Sequence, residues 1–314
     1  MPQVTIIIPT YNRWQFLAGA VKSVLEQSLK DVEIIVVDDC SNDNTAAVIE
    51  SFQGTAVRYI RHDRRRGAAA ARNTGILQAS GEYIAFLDDD DEWYPEKLTR
   101  QVQQLVGSAT EVGGVYTGCF VLDRSNGQML GQIVPLESGD VQQALLAGNC
   151  VGGASSMLMR HECFERVGLF DERLPSFQEY DLWLRAARHY QFECIRAPLV
   201  KHYVDPDRER KNSDALMFSL ELMLAKYGRS QAFRRKCSAY YLGLGIQYAE
   251  LKQFLAARKA LLRAARLNPL VVEPYAYLAL TLLGGDGFNK ARRVQASLLP
   301  RFRTRQIHGF AESA

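Results

Sequence analysis

The sequence lacks any hydrophobic run of the roughly 18 residues that a membrane-spanning helix needs. Its first residues, MPQVTIIIPTYNR, contain no basic segment followed by a cleavage site, so we expect no secretion signal. It also lacks paired cysteines, because its six cysteines are scattered without a CxxC pair or histidines at zinc-ligand spacing. These absences argue against a membrane-spanning protein, a disulfide framework and a structural zinc site. They predict a cytoplasmic protein with reduced thiols.

Charge is divided unevenly along a chain of otherwise ordinary globular composition. Of its 314 residues, 47% are hydrophobic and 23% are charged, which is enough material for one large or two smaller domains. Residues 226–314 carry 16 Lys and Arg against 4 Asp and Glu, whereas residues 1–225 carry 22 against 31. Two regions of opposite sign predict two parts with different partners.

Apolar runs alternate with amphipathic stretches over the first two thirds of the chain. Strand-like runs occupy residues 3–9, 33–39, 57–62 and 81–91, and helical patterns lie between them. This alternation predicts an α/β fold with a mostly parallel, Rossmann-like sheet flanked by helices. From about residue 214 the pattern is helical. We therefore expect an α/β domain over residues 1–212 and an α-helical region over residues 213–314.

Polar clusters follow three of these strands. They are Thr10–Tyr11–Asn12, Asp38–Asp39 and the four aspartates Asp88, Asp89, Asp90 and Asp91. Open parallel sheets bind ligands beyond the carboxyl ends of their strands, so these clusters are candidates for one site.

The four consecutive aspartates need a physical explanation. Two carboxylates about 4 Å apart repel by roughly 4 kcal/mol at an effective dielectric constant near 20. A solvated acidic turn is one interpretation, but the run follows the apolar segment YIAFL, which brings the backbone out of the core. A divalent cation would offset the repulsion. All-oxygen ligands favour Mg²⁺ or Mn²⁺, and Mg²⁺ commonly takes further ligands from water and phosphate. The run therefore predicts a site for a metal and a nucleoside diphosphate.

Five blocks of the sequence, in this order, resemble family 2 glycosyltransferases with the GT-A fold. They are VTIIIPTYNR, EIIVVDDCSNDNT, GAAAARNTGI, GEYIAFLDDDDEWYP and FQEYDLWLR, and the resemblance covers roughly residues 3–205. It implies an inverting, metal-dependent transfer of a sugar from a nucleotide-diphosphate sugar, foremost a UDP-sugar, to a hydroxyl group. The implied acceptor is a saccharide or a lipid-linked molecule in surface polysaccharide or glycolipid synthesis.

The resemblance also implies roles for single residues around the nucleotide. Tyr11 would stack on the base, in a pocket shaped by Pro9 and Thr10. Asp39, with Asp38 beside it, would accept a hydrogen bond from the base. Arg72, in the block ARNTG, is implied as a basic residue near the nucleotide, and a surface arginine is the alternative.

In the family's Asp-x-Asp block the first acidic residue approaches the ribose and the last one binds the metal. Here these positions are Asp88 and Asp90. The extra aspartates leave the register open, so Asp89 and Asp91 remain candidate ligands. His202 lies near a family loop that sometimes reaches the metal, although an ordinary loop histidine is an equally good interpretation.

Glu179 is the candidate catalytic base, because it occupies the position where the family often has an aspartate. The extra methylene of glutamate moves the carboxylate, which matters for the geometry of attack. The alternative interpretation is that Glu179 only stabilises a helix N-terminus. Because Gln178–Glu179 stands where the family often has Glu-Asp or Gln-Asp, a second alternative is a catalytically weak binding protein that acts through its basic helical tail. A nucleotidyltransferase is disfavoured because no glycine-rich phosphate loop follows the first strand.

The helical region resembles a tetratricopeptide-type helix pair over residues 241–269. The matching positions are Tyr241, Leu244, Gly245, Tyr248, Ala257, Leu261, Ala264 and Pro269, with a partial second copy at Tyr275, Leu278, Ala279 and Ala291. Its positive charge has two interpretations. It is either a solvated face or a surface for an acidic protein partner or for anionic lipid at the inner face of the membrane. No interleaving of aromatic and basic residues points to nucleic acid.

Overall fold

A computed structural model describes residues 2–204 and 213–283 of the chain. These residues form two compact units, one over 2–145 and 149–204, the other over 146–148 and 213–283. The predicted boundary between residues 212 and 213 falls at the edge of segment 205–212. This segment and 284–314, which includes Ala291 of the predicted second repeat, lie outside the described residues.

Residues 2–145 and 149–204 form the α/β unit, and its last residues before 146 begin α5. Its strands are β1 (Val4–Thr10), β2 (Val32–Asp38), β3 (Val57–Arg61), β4 (Tyr83–Phe86), β5 (Glu92–Trp93), β6 (Val112–Asp123), β7 (Met129–Ile133), β8 (Met157–Arg160) and β9 (Gln191–Val204). Its helices are α1 (Trp14–Leu25), α2 (Thr45–Glu50), α3 (Ala68–Gln78), α4 (Lys97–Gly107), α5 (Gln142–Ala147), α6 (Cys163–Val167) and α7 (Gln178–Ala186).

All nine strands belong to one sheet in the order β3-β2-β1-β4-β8-β6-β9-β5, with β7 paired to β6. The first four strands in that order are parallel, as are β6 and β9. β8 runs antiparallel between β4 and β6. The predicted α/β class, with its parallel sheet flanked by helices, is confirmed.

β1 is apolar along its length because both of its faces are covered. Every residue of β1 is buried, as expected for a strand inside a parallel sheet. Ile6 and Ile8 belong to the same core cluster as Leu17 of α1. On the other face Ile7 meets α3 at Gly75, where an added Cβ would lie 2.4 Å from Ile7 Cγ2. The glycine therefore lets α3 pack directly on the sheet.

The register of the parallel strands brings the polar clusters to one edge of the sheet. Thr10 is level with Asp38, and Ile7 is level with Phe86. The chain after Phe86 consequently runs alongside the end of β1. This placement sets Asp88 and its neighbours next to Thr10.

The predicted strand over residues 81–91 is shorter in the structure. β4 ends at Phe86, and the backbone N–H of Asp91 donates to the carbonyl of Asp88 at 3.0 Å, which closes a turn. A strand would alternate the four carboxylates between the two covered faces of the sheet. The turn instead directs them to separate partners, and this is why the strand stops before the run.

The second unit is helical, as predicted. It contains α8 (Ser213–Tyr227), α9 (Gln231–Glu250), α10 (Phe254–Leu267) and α11 (Glu273–Leu280). α9 and α10 approach closely at Gly245, where an added Cβ would lie 2.6 Å from Leu261. The tetratricopeptide-type assignment of this pair stays a prediction. Within the described ranges, no helix is both long enough and apolar enough to cross a membrane.

Candidate active site

Thr10 links the end of β1 to the aspartate run. Its hydroxyl donates to Asp89 Oδ2 at 2.7 Å, and its carbonyl accepts the backbone N–H of Asp39 at 2.9 Å. The ends of β1, β2 and β4 are thereby joined by hydrogen bonds. Pro9, the other residue predicted to shape the pocket, lies inside β1 and is buried.

Arg72 is the counter-ion at the buried end of the run. Its Nη2 donates to Asp88 Oδ1 at 2.6 Å, and its Nη1 donates to Gln178 Oε1 at 2.8 Å. Only 3% of its side chain is exposed. A surface arginine is therefore excluded, whereas the predicted role of Arg72 beside a nucleotide stays a prediction. Removing one partner of such a buried pair leaves an uncompensated charge, which is strongly destabilising.

Glu179 shares this buried arginine. It lies in the first turn of α7, where negative charge is favoured by the helix dipole. Its Oε1 is 3.0 Å from Arg72 Nη1. This is an ion-pair distance, yet no donor among the described residues is directed at that oxygen in hydrogen-bond geometry. Burial raises the pKa of Glu179, and Arg72 opposes the shift. A buried carboxylate with a raised pKa and an available oxygen is suited to accept a proton.

Two further arginines hold the middle of the run. Arg13 Nη1 lies 2.8 Å from Asp89 Oδ1 and 2.9 Å from Asp90 Oδ2. Arg124, from the turn between β6 and β7, places Nη2 at 3.2 Å from the same oxygen of Asp90. Burial still raises the pKa of Asp90 to about 7, against the attraction of Arg13. Negative charge thus remains costly at this position despite two positive neighbours.

Asp91 and His202 form the last pair. The two side chains are 3.0 Å apart (His202 Nδ1 to Asp91 Oδ1), and Ser155 Oγ donates to Asp91 Oδ2 at 2.7 Å. Burial would lower the pKa of His202, but the carboxylate of Asp91 outweighs this and raises it to about 9. The structure therefore places His202, near the end of β9, against the aspartate run, and its role as a metal ligand stays a prediction.

The four aspartates are tolerated because cationic side chains from four other segments meet them. Three are arginines and one is a histidine, and they come from the start of α1, from α3, from the turn after β6 and from β9: Arg13, Arg72, Arg124 and His202. The sequence argument offers a metal ion as the only compensation. The structure shows that protein side chains also supply positive charge to the run.

The fit of a divalent cation can be judged from the same geometry. Asp91 and His202 are already in contact, and Asp90 follows directly in the chain. Carboxylate oxygens suit Mg²⁺ and Mn²⁺, whereas an imidazole ligand is more typical of Zn, Cu, Fe or Ni. The Asp90 carboxylate, however, is held by Arg13 and Arg124, and within residues 2–204 and 213–283 no three acidic, histidine or cysteine side chains converge as they stand. The donor types fit a metal, provided that Asp90 exchanges its arginine partners.

The predicted base pocket lies at the ends of β1 and β2. Asp39 is buried, and its carboxylate accepts the backbone N–H groups of Arg66 and Gly67 at 2.8 and 2.7 Å. His62 Nδ1 is 2.8 Å from the same carboxylate. Much of the capacity of Asp39 to accept hydrogen bonds is therefore used to fix the loop before α3. Asp38 accepts from Ser41 N at 2.8 Å and supports the turn after β2.

Tyr11 is covered on one ring face. The Arg65 guanidinium carbon lies 4.3 Å from the centroid of the Tyr11 ring. Arg65 belongs to the loop that Asp39 fixes. The Asp39 side and the Tyr11 side of the predicted base pocket are therefore connected through this loop. The structure thus adds Arg65 to the residues that surround Tyr11.

Sequence reasoning missed several residues of this site. Arg13 stands in the block TYNR, where its position next to Tyr11 and Asn12 could have drawn attention. Arg124 and Ser155 carry no local signal, because each belongs to an unremarkable turn or loop far from the run in sequence. Ser155 reaches the run because β8, which follows it, pairs with β4, and Arg124 follows β6, which pairs with β9 up to Val204.

Comparison with known proteins places these residues in context. A model of the family described as "Glycosyl transferase family 2" matches residues 5–168, about half of the chain. WcaA of Escherichia coli, whose name assigns it to colanic acid biosynthesis, is 34% identical over 200 residues, which is 60% of this chain and 67% of WcaA. The succinoglycan biosynthesis protein ExoO of Rhizobium meliloti is 29% identical over 85% of this chain and 78% of its own length.

Other relatives are longer than this chain. An uncharacterised glycosyltransferase of Rickettsia conorii is 35% identical over 204 residues, which is 63% of this chain and 33% of that relative. The chain spans about a third of the length of the first Rickettsia relatives that it matches.

Solved structures share the fold. Residues 1–349 of S. aureus TarS, in complex with UDP-GlcNAc, align with a TM-score of 0.64 at 16% identity, covering 96% of this chain and 93% of that TarS chain. The mannosyltransferase PcManGT of Pyrobaculum calidifontis, in complex with GDP-Man and Mn²⁺, aligns with a TM-score of 0.59 at 21% identity. The alignment covers 97% of this chain and 82% of the PcManGT chain.

Proposed function

Because the chain belongs to glycosyltransferase family 2, we propose that it transfers a sugar from a nucleotide-diphosphate sugar to a hydroxyl group with inversion at the anomeric carbon. The observation that carries the proposal is the meeting of the aspartate run, Arg72 and Glu179 at the ends of β1, β2 and β4. A UDP-sugar is the proposed donor. TarS, which shares the fold, binds UDP-GlcNAc, and this supports the choice.

The proposed chemistry assigns one task to each side chain. Glu179 takes the proton of the acceptor hydroxyl, whose oxygen then attacks the anomeric carbon. Arg72 holds Glu179 and Asp88 in place. Asp88 and Asp89 face the ribose, while Tyr11 and Asp39 face the base. Asp90, Asp91 and His202 would hold Mn²⁺ or Mg²⁺, which when bound supplies positive charge to the diphosphate leaving group.

The proposed acceptor is a saccharide or a lipid-linked saccharide in surface polysaccharide or glycolipid synthesis. WcaA and ExoO, named for colanic acid and succinoglycan biosynthesis, support this choice. We also propose a cytoplasmic location in which the basic C-terminal region meets anionic lipid at the inner face of the membrane. Flotation of the full chain with anionic and with neutral vesicles tests this part. Equal flotation with both would contradict it.

The test of the enzymatic proposal is a screen of UDP-, TDP- and GDP-sugars with and without Mn²⁺. We expect one donor to raise the melting temperature in the presence of Mn²⁺ and to release its nucleoside diphosphate slowly. Glu179→Gln should lower transfer by about 10²- to 10⁴-fold, the usual contribution of a general base, with donor affinity nearly unchanged. Glu165→Gln, at an exposed glutamate of α6, is the control. Full turnover by Glu179→Gln would remove Glu179 from its role.

A further inference from the structure

Asp90 is the most open member of the aspartate run. Its side chain is 11% exposed, whereas those of Asp88, Asp89 and Asp91 are 8%, 4% and 3% exposed. The two arginines on Asp90 are also reachable, at 16% for Arg13 and 17% for Arg124. A ligand that enters from solvent therefore meets this ion-pair cluster before it meets Arg72.

One oxygen of Asp90 is shared by two guanidinium groups. Arg13 Nη1 is 2.9 Å and Arg124 Nη2 is 3.2 Å from Asp90 Oδ2. The carboxylate proposed as a metal ligand is thus already paired with protein cations. A metal can bind it only by replacing at least one of them, because two or three positive charges around one oxygen repel strongly.

Arg124 is fixed by contacts that do not involve carboxylates. Its Nη2 donates to the carbonyls of Asp90 and Tyr203 at 2.9 and 3.0 Å, and its guanidinium lies 4.3 Å from the centroid of the Phe16 ring. Arg13 differs. Among the described residues, its guanidinium forms hydrogen bonds and ion pairs with the carboxylates of Asp89 and Asp90 alone. Arg13 can therefore change partner at the lowest cost.

We infer that Arg13 is an exchangeable countercharge, which pairs with Asp89 and Asp90 in the absence of donor and turns to the donor diphosphate when a divalent cation takes Asp90. The inference rests on the proposed function, since it needs a diphosphate and a cation at this site. It assigns to Arg13 a direct contact with the substrate. Arginine is well suited to this contact because its planar fork matches phosphate oxygens.

The exchange has two consequences of opposite sign. Removal of Arg13 frees Asp90 from a competing cation, so Mn²⁺ alone should bind more tightly. The same removal deletes a cation for the diphosphate, so UDP should bind more weakly when Mn²⁺ is saturating. A variant that merely disturbed the fold would weaken both ligands. Tighter Mn²⁺ binding together with weaker UDP binding therefore distinguishes exchange from a structural role of Arg13.

The experiment is isothermal titration calorimetry of the full chain and of Arg13→Gln with two probes, Mn²⁺ alone and UDP at saturating Mn²⁺. For Arg13→Gln we expect Mn²⁺ affinity to rise by about tenfold, as one nearby positive charge is lost. UDP affinity should fall by about ten- to a hundredfold, the value of a hydrogen bond to a charged group. Arg13→Lys keeps the charge without the fork, so it should change both affinities in the same directions by smaller factors.

Arg58→Gln is the matched control, because Arg58 is exposed and its guanidinium bonds to the neutral side chain of Gln78. It should leave both affinities unchanged. If the wild type binds neither probe, the proposed function fails and the inference fails with it. If the wild type binds both, but the Arg13 variants weaken Mn²⁺ or leave UDP affinity unchanged, the inference alone is overturned. If Arg13→Gln does not fold, the same two affinity measurements on Arg13→Lys test the inference.

Discussion

The two ends of the aspartate run hold their negative charge in different ways. At the buried end Asp88 faces Arg72, whose side chain is 3% exposed and also contacts Gln178 and Glu179. At the open end Asp90 faces Arg13, whose side chain is 16% exposed. The first arginine is enclosed by the fold and cannot leave without unfolding its surroundings. The second lies at the solvent edge and can be exchanged.

This difference divides the site into a permanent and an exchangeable part. A buried pair is expensive to break, because either partner alone would remain charged in a medium of low polarity. The less enclosed pair of Arg13 and Asp90, with side chains 16% and 11% exposed, should cost less to break, because water and a ligand can reach its contacts. Catalytic geometry should therefore depend on the buried end, and ligand entry on the open end.

Breaking the buried pair should have the largest effect. Arg72→Met leaves the carboxylates of Asp88 and Glu179 buried without their arginine. We expect a loss of about 3–5 kcal/mol in the free energy of unfolding, measured by urea denaturation, together with loss of transfer. The double variant Arg72→Met/Asp88→Asn should recover part of the stability, because one stranded charge is removed.

A loss below about 1 kcal/mol for Arg72→Met would mean that Arg72 behaves like a surface ion pair. The distinction between the two ends of the run would then disappear. The open-end variant Arg13→Gln, measured in the same urea series, provides the comparison and should lose less stability.

Lys97 tests how the fold treats a buried charge that, unlike Arg72, has no carboxylate partner among the described residues. Lys97 Nζ donates to Gln101 Oε1 at 2.7 Å and lies 4.0 Å from the centroid of the Trp93 ring. Among the described residues no acidic side chain is paired with it, and burial alone shifts its pKa. Burial lowers the pKa of Lys97 well below its usual range. The fold accommodates this amine by disfavouring its charge.

The sign of the pH effect follows from proton binding. Between the lowered pKa of the folded chain and the ordinary value near 10.4, the unfolded chain binds more protons at Lys97. Stability therefore rises with pH across this window. Lys97→Met, of similar volume, should gain stability relative to the wild type by about 1.4 kcal/mol per unit as pH falls through the window.

Urea unfolding at pH 7, 8.5 and 10 measures this difference. Lys22→Met, at an exposed lysine of α1, is the control for general effects of lysine removal. A difference between wild type and Lys97→Met that stays constant over this range would show that Lys97 is charged in the folded chain.

The sequence predicted the strands better than the pairing of charges. Continuous apolar runs are sufficient to identify β1 and β2, because strands covered on both faces cannot alternate. It overextended the strand of β4 to Asp91, since the apolar run gives no sign of where like charges force a turn. It also missed β9 (Gln191–Val204), in which Pro198, Lys201 and His202 interrupt the apolar pattern.

The local sequence pattern could not predict which side chains pair with the aspartates. Arg13 lies 76 residues from Asp89 in sequence, and Arg124 lies 34 residues from Asp90. Such pairs depend on which strands are neighbours in the sheet: β1, before Arg13, pairs with β4, and β6, before Arg124, pairs with β9. Hydrophobic periodicity predicts that a strand exists but not which strand is its neighbour.

Arg65 extends the exchangeable part of the site to the proposed base pocket, with the smallest expected effect. Its guanidinium carbon is 4.3 Å from the Tyr11 ring centroid. A base between the two would need about 7 Å, or two contacts of about 3.5 Å. Arg65 and a base therefore compete for that ring face. We expect Arg65→Ala to tighten UDP binding at saturating Mn²⁺ by about two- to fivefold, as an exposed cation–π contact is worth about 0.5–1 kcal/mol.

Calorimetry beside Arg64→Ala tests this competition, because Arg64 is an equally exposed neighbour in the same loop and its removal changes the local charge equally. Arg64→Ala should leave UDP affinity nearly constant, whereas Arg65→Lys, which lacks the planar group, should fall between the wild type and Arg65→Ala. Weaker binding by Arg65→Ala would mean that the base uses the other face of Tyr11 and that Arg65 supports the ring from behind. In that case Arg65 would belong with Arg72 among the permanent contacts, and the open side of the site would end at Arg13.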